Sequence, residues 1–130
     1  MQTVSNIGRW WIYMVLILSL VACCDSKNPT SSAVNHVVLV WLKADTTTEE
    51  IETIISETQK LEKIGTIQSL SVGTAIPSER KIVDDSFDLG IQMRFATQQD
   101  MQTYLVDPQH VKFIDTFIKP KLQKILVYDF

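Results

Sequence analysis

From residue 87 to residue 95 the chain reads FDLGIQMRF, with apolar and non-apolar positions in strict alternation. Successive side chains of a strand point to opposite faces. Phe87, Leu89, Ile91, Met93 and Phe95 are therefore expected on one face, and Asp88, Gly90, Gln92 and Arg94 on the other. Such a segment belongs in an antiparallel sheet with one face in a core and the other turned away from it. No helix satisfies that period. The rest of the chain must supply the layer that covers the apolar face.

It contains such segments on both sides of this strand. Residues 35–43, NHVVLVWLK, read as a strand apolar on both parities: Val38, Val40 and Leu42 against Val37, Leu39 and Trp41. Thr46-Thr47-Thr48-Glu49-Glu50 then supplies cap oxygens and first-turn carboxylates. Ile51, Ile54, Ile55, Thr58, Leu61 and Ile64 follow at helical spacing, predicting a helix over 48–63 that ends at a left-handed Gly65. Residues 66–74 read as a second strand and 75–84 as a polar connection. Thr97-Gln98-Gln99-Asp100 opens a short helix through Leu105. Asp107 caps another that starts at Pro108, carries Val111, Ile114, Phe117 and Ile118 on its apolar face and stops at Pro120. Residues 124–130, KILVYDF, close the chain as a strand.

The order βαββαβ is that of an α+β, ferredoxin-like unit: a four-stranded antiparallel sheet with both helices on one face. One apolar parity of the first strand then stays uncovered. So does one of the last, where Leu126, Tyr128 and Phe130 oppose Ile125 and Val127. A patch of that extent calls for a partner, and a homodimer through the open sheet face is the simplest one.

The first residues have a different character. Residues 10–24, WWIYMVLILSLVACC, carry no charge and follow Arg9. The run falls short of the roughly 20 residues that span a bilayer as a helix. A basic lead, a short apolar stretch and small residues at its end form a secretory signal peptide. Leu20-Val21-Ala22-Cys23 resembles the bacterial lipobox, which implies cleavage before Cys23 and a diacylglyceryl group on its thiol. That divides the chain into a signal peptide (1–22), a lipidated tether (23–34) and a domain (35–130). It places the domain in the cell envelope, anchored to a membrane on its non-cytoplasmic side. Whether that is the inner or the outer membrane stays open, as does the role of Cys24.

Several function classes are excluded. The two cysteines are neighbours, so they staple no fold. Fifteen Asp and Glu against 12 Lys and Arg leave no basic footprint for nucleic acid. His36 and His110 lack metal-ligand spacing, and neither CxxC nor HExxH occurs, so no metal is expected. The absence of a Gly-rich phosphate loop and of a G-x-S-x-G elbow leaves no expected cofactor and no obvious nucleophile. Arg94 reads as a partner for Asp88 or another strand's carboxylate, or as the countercharge of an acidic ligand. Lys119, Lys121 and Lys124 read as a solvated face.

Three stretches resemble the stress-responsive A/B barrel (Dabb) family, over about residues 35–130. They are His36-Val37-Val38-Leu39-Val40-Trp41-Leu42-Lys43, Ser86 through Phe95 preceded by Glu79-Arg80, and Tyr104-Leu105-Val106-Asp107-Pro108-Gln109-His110. The last follows the family's Tyr-x-x-His-Pro-x-His pattern with Asp107 in place of its first His. The resemblance implies two sheets facing each other across a dimeric α/β barrel, often with a small cavity. Similarity to the family's plant polyketide cyclases further implies acid–base roles for His36, Tyr104 and His110. A His near neutral pKa takes a proton α to a carbonyl, and a Tyr hydroxyl hydrogen-bonds the developing enolate. Three readings follow. One is a non-catalytic domain, or one that holds a small apolar molecule. A second is a polyketide-cyclase-like or monooxygenase-like enzyme acting on a small aromatic or polyketide-type compound. The third is a structural module for protein contacts. The cyclase reading requires the three side chains to meet at one cavity.

Overall fold

A computed structural model describes residues 33–130, so Cys23, the signal peptide and most of the tether lie outside the described residues. The elements are β1 (Val34–Leu42), α1 (Thr48–Lys60), β2 (Ile67–Thr74), β3 (Leu89–Phe95), α2 (Gln98–Leu105), α3 (Pro108–Phe113) and β4 (Leu122–Asp129). The strands lie in the order β2-β3-β1-β4, and every neighbouring pair is antiparallel. β1 and β2 therefore run parallel with β3 between them, and β3 and β4 with β1 between them. Each helical connection crosses over one strand, as the ferredoxin-like unit requires.

Local chemistry sets the helix starts. Thr47 and Glu50 form a reciprocal capping box, the Thr47 N–H donating to Glu50 Oε2 at 2.9 Å and the Glu50 N–H to Thr47 Oγ1 at 3.3 Å. Thr97 caps α2 by accepting from the Asp100 N–H at 3.0 Å, and Asp107 caps α3 by accepting from the Gln109 N–H at 2.8 Å. The end of α1 differs from expectation. No described residue has a positive φ, Gly65 included. A 3₁₀ turn at Leu61–Lys63 tightens the last turn, and Ile64 then leaves in extended conformation, so no left-handed residue is required.

The core lies between the helices and one face of the sheet. Val38, Val40 and Leu42 of β1 and Leu89, Ile91, Met93 and Phe95 of β3 are buried there against Ile54, Leu61, Met101, Tyr104, Phe113 and Ile118. Cross-strand register sorts β4. Ile125 and Val127 lie opposite Val40 and Val38, hence on the helix side, whereas Leu126 and Tyr128 lie opposite Leu39 and Val37 on the open face.

Two expectations about side-chain direction are corrected. Phe87 does not extend the buried row of β3. The Asp88 N–H donates to the Val40 carbonyl, and its carboxylate accepts the Leu42 N–H at 2.7 Å, which ends the regular pleat before Leu89. The Phe87 ring instead packs edge-on to Trp41 and against Gly90 on the open face, where a Cβ on Gly90 would lie 3.2 Å from it. With its carboxylate so engaged, Asp88 forms no ion pair with Arg94, which stands exposed on that face. The second correction concerns α3. Val111 is 44% exposed, and the inward row is His110, Phe113, Ile114, Phe117 and Ile118, continued through a π-helical turn at Ile114–Ile118. The three lysines disperse. Lys119 pairs with Asp115, Lys121 pairs with Glu50, and the Lys124 ammonium sits 4.1 Å from the centroid of a Trp41 ring.

Candidate functional site

His36 is the third residue of β1, on the pleat that faces the helices, and is 6% exposed. Tyr104 comes from the last turn of α2 and His110 from the inward row of α3. The two helices meet at a corner held by Asp107, whose N–H donates to the Tyr104 carbonyl and whose carboxylate caps α3. That corner brings the rings of Tyr104 and His110 to a centroid distance of 4.3 Å, with His36 6.2 Å from Tyr104. Phe95, fully buried, lies beneath both Tyr104 and His36, at 5.2 and 6.4 Å.

All three polar groups line one cavity of about 260 Å³ between the sheet and the helices. The remaining walls are apolar: Val38, Val40, Ile91 and Met93 from the sheet, Leu105, Phe113, Ile114 and Ile118 from the helical side. Ile125 and Val127 complete the lining on edge strand β4 and are 39% and 46% exposed, which marks that side as the mouth.

The hydrogen bonds assign roles to the ring nitrogens. His110 Nδ1 lies 3.1 Å from the Leu105 carbonyl. A carbonyl only accepts, so Nδ1 carries the proton and Nε2 keeps its lone pair. Burial holds the His110 pKa below the ordinary value, against opposing pulls from the Leu105 carbonyl and Asp107, so the ring is a neutral base near pH 7. His36 Nδ1 lies 2.6 Å from Asp129 Oδ1, and this contact fixes the orientation of the imidazole, turning Nε2 away from the carboxylate. Burial, with the charge of Asp107 second, pushes the Tyr104 phenol far above its usual range, so it stays protonated. Its hydroxyl has no hydrogen-bond partner among the described residues. A phenol donor, the acceptor nitrogen of His110 and the imidazole of His36 thus border the same apolar space. That set can hydrogen-bond a carbonyl and accept a proton from the molecule carrying it.

Sequence reading singled out His36, Tyr104 and His110, and the structure brings them together. It missed Asp129, which lies directly across from His36 in the β1–β4 register. The available signal was parity: Asp129 shares its face of β4 with Ile125 and Val127, so a carboxylate stands at the end of an apolar row. Asp107 is a helix cap. Among the described residues no group of three or more His, Cys, Asp or Glu could hold a metal ion. No described helix is long and apolar enough to cross a membrane.

Residues 34–130 match the Stress responsive A/B Barrel Domain (Dabb). The chain belongs to this family. A stress-response A/B barrel domain-containing protein of Arabidopsis thaliana is 25% identical over 105 residues, 81% of this chain, which spans 39% of that protein's length. Among solved structures, a hydroxynitrile lyase from Passiflora edulis superposes with a TM-score of 0.68 at 22% identity, over 77% of this chain and 93% of its own. A Dabb protein of ferredoxin-like fold from Mesorhizobium loti gives 0.63 at 23% identity, over 75% and 94%. A dimeric ferredoxin-like protein of unknown function from Bacteroides fragilis gives 0.60 at 19% identity, also over 75% and 94%. These likenesses confirm the Dabb fold. Because the matched Dabb region accounts for nearly all of each solved chain, the described residues correspond to a whole folding unit.

Proposed function

We propose that this Dabb protein holds a small, largely apolar molecule in the cavity bordered by His36, Tyr104 and His110, and that the domain is a lipid-anchored homodimer of the bacterial envelope. The observation that carries the binding reading is the convergence of three polar side chains from three separate elements on one otherwise apolar cavity. Core histidines that merely satisfy backbone groups have no reason to share a wall with an unpartnered phenol. The cavity is small beside the 300–1,000 Å³ or so typical of ligand sites, which favours a compact ligand.

The same convergence supports a second reading, an enzyme of the acid–base type acting at a carbonyl carbon. The fold neighbour from Passiflora edulis is a hydroxynitrile lyase, and the proton transfers of such chemistry need a donor and a base on one substrate. Titrating the isotope-labelled domain (residues 33–130) with a small aromatic ketone tests the site. Saturable shifts of the His36 and His110 ring signals are expected, and Val127→Trp, which fills the mouth, should abolish them. Shifts that never saturate, or that survive V127W, would argue against a ligand site here.

The homodimer reading rests on the open face, where Val37, Leu39, Trp41, Leu126 and Tyr128 form an uncovered row. The loop between β2 and β3 carries two further exposed apolar residues, Ile76 and Ile82, at 83% and 91% exposure, and Asp84 and Asp85 fasten it by accepting from the N–H groups of Ser86 and Ser78. The anchoring reading rests on the uncharged run and the Leu20-Val21-Ala22-Cys23 sequence. Two acyl chains would supply the double hydrophobic signal that stable anchoring requires. Mass analysis of the mature chain should find an acylated Cys23 as its first residue. Cys23→Ala should accumulate as full-length precursor; normal processing of that variant would defeat the lipobox reading.

A further inference from the structure

We propose that the corner between α2 and α3, where Leu105, Val106 and Val111 stand exposed, is the surface by which the domain docks on the lipid bilayer that holds its tether. The proposal rests on the anchoring reading and adds to it which side of the domain meets the membrane. Three observations carry it.

The first is an exposure that a second copy on the open face leaves untouched. Leu105, Val106 and Val111 are 39%, 74% and 44% exposed. They belong to the helical layer, on the other side of the sheet from Val37, Leu39 and Leu126. Apolar side chains gathered at one capped corner differ from single exposed residues scattered over a surface.

The second is where the chain enters. β1 begins at Val34, two residues before His36, whose ring centroid lies 6.2 Å from that of Tyr104 in the last turn of α2. Two strand residues rise about 7 Å, so the tether joins the domain at the same end as the corner. Residues 23–32 reach at most about 35 Å from an anchored Cys23. So short a link keeps the corner at high effective concentration over the bilayer, and a few apolar side chains then suffice for docking.

The third is a backbone suited to a water-poor surface. The Asp107 N–H donates to the Tyr104 carbonyl, the Gln109 N–H to the Asp107 carboxylate and the Val111 N–H to the Asp107 carbonyl. Pro108 has no N–H, and the Leu105 carbonyl accepts from His110. A turn whose polar groups are paired internally enters the interface at little cost, whereas a solvated loop does not. Charge at this end is mixed: Arg94, opposite Asn35, and Lys112, next to Val111, are met by Asp107 and by Asp129, opposite His36. Docking is therefore apolar and does not call for anionic lipid.

The test presents the tethered chain to lipid whether or not a cell acylates it. Residues 23–130 carrying Cys24→Ser are coupled through the Cys23 thiol to a maleimide lipid in phosphatidylcholine nanodiscs that contain a spin-labelled lipid. The methyl signals of Leu105, Val106 and Val111 are expected to broaden, while those of Val37 and Leu39 stay sharp. Val106→Asp should cut the broadening at least about tenfold, because a buried Val is worth more than that and a carboxylate keeps its water. Val106→Leu should preserve it, with unchanged circular dichroism for both variants. Adding phosphatidylglycerol should alter it by less than about twofold. Broadening spread evenly over the domain or centred on Val37 and Leu39, V106D docking like the parent, or docking that needs phosphatidylglycerol would overturn the proposal. So would corner signals that shift with protein concentration in the absence of lipid, which would assign the patch to a second copy. Selective broadening in this test, joined to a chain from cells with no acyl group on Cys23, would uphold the lipid-docking surface and remove only the anchoring reading.

Discussion

Phe95→Ala is expected to remove about 3–5 kcal/mol of stability and to dismantle the candidate site in the same step. Phe95 has no solvent exposure and ends β3, where it lies opposite Val34 of β1 and Ile67 of β2. Its ring fills the space below Tyr104 and beside His36. Truncation loses the transfer energy of the ring and leaves a void that a sheet paired on both sides cannot collapse to fill. A domain of this size has about 5–15 kcal/mol in total, so much of the margin would go. At about 4–8 °C per kcal/mol, the thermal midpoint should fall by more than about 10 °C.

Phe95→Leu separates the two consequences. It keeps most of the packed volume, so its stability loss should be clearly smaller, yet it withdraws the aromatic surface that Tyr104 leans on. Thermal unfolding read by circular dichroism, with the ketone titration on both variants, measures each effect. A midpoint for F95A within about 2 °C of the parent would show that Phe95 is not the support described here.

The dependence of the site on that ring explains which parts were legible from residues alone. Thr47, Thr97 and Asp107 were readable as caps because a cap is made within a few residues of chain. The row Leu89, Ile91, Met93 and Phe95 was readable because a one-faced strand writes its period into four consecutive alternations. Phe87 was misplaced for a tertiary reason: hydrogen bonds from Asp88 to β1 break the pleat, and nothing in FDLGIQMRF encodes them.

The phase of α3 was misread for a different reason. Counting apolar residues starts the inward row at Val111, whereas the row starts at His110, a polar residue placed inward to face the cavity. The π-helical turn after Phe113 carries that row on to Phe117 and Ile118. A local rule thus failed where the site is built. Asp129 was out of reach for simple distance, since 93 positions separate it from His36 and only the sheet register joins them.

Leu126→Asp is expected to convert the homodimer to a folded monomer. Leu126 stands on edge strand β4, on the open face opposite Leu39, and is already 36% exposed, so the isolated domain tolerates a charge there. In a two-fold interface the same patch meets itself, and each substitution is met twice. An unpaired charge caught in a buried interface costs about 3–5 kcal/mol, so the pair should weaken association by more than about a thousandfold. Light scattering across a concentration series should give the dimer mass for the parent domain and the monomer mass for L126D, with matching circular dichroism. Leu126→Ala should stay dimeric, because it removes contact area without adding a charge. A parent domain that is monomeric throughout would end the proposal that the open face is covered by a second copy. An L126D dimer would move the interface away from this face, and the apolar row from Val37 to Tyr128 would then need another partner.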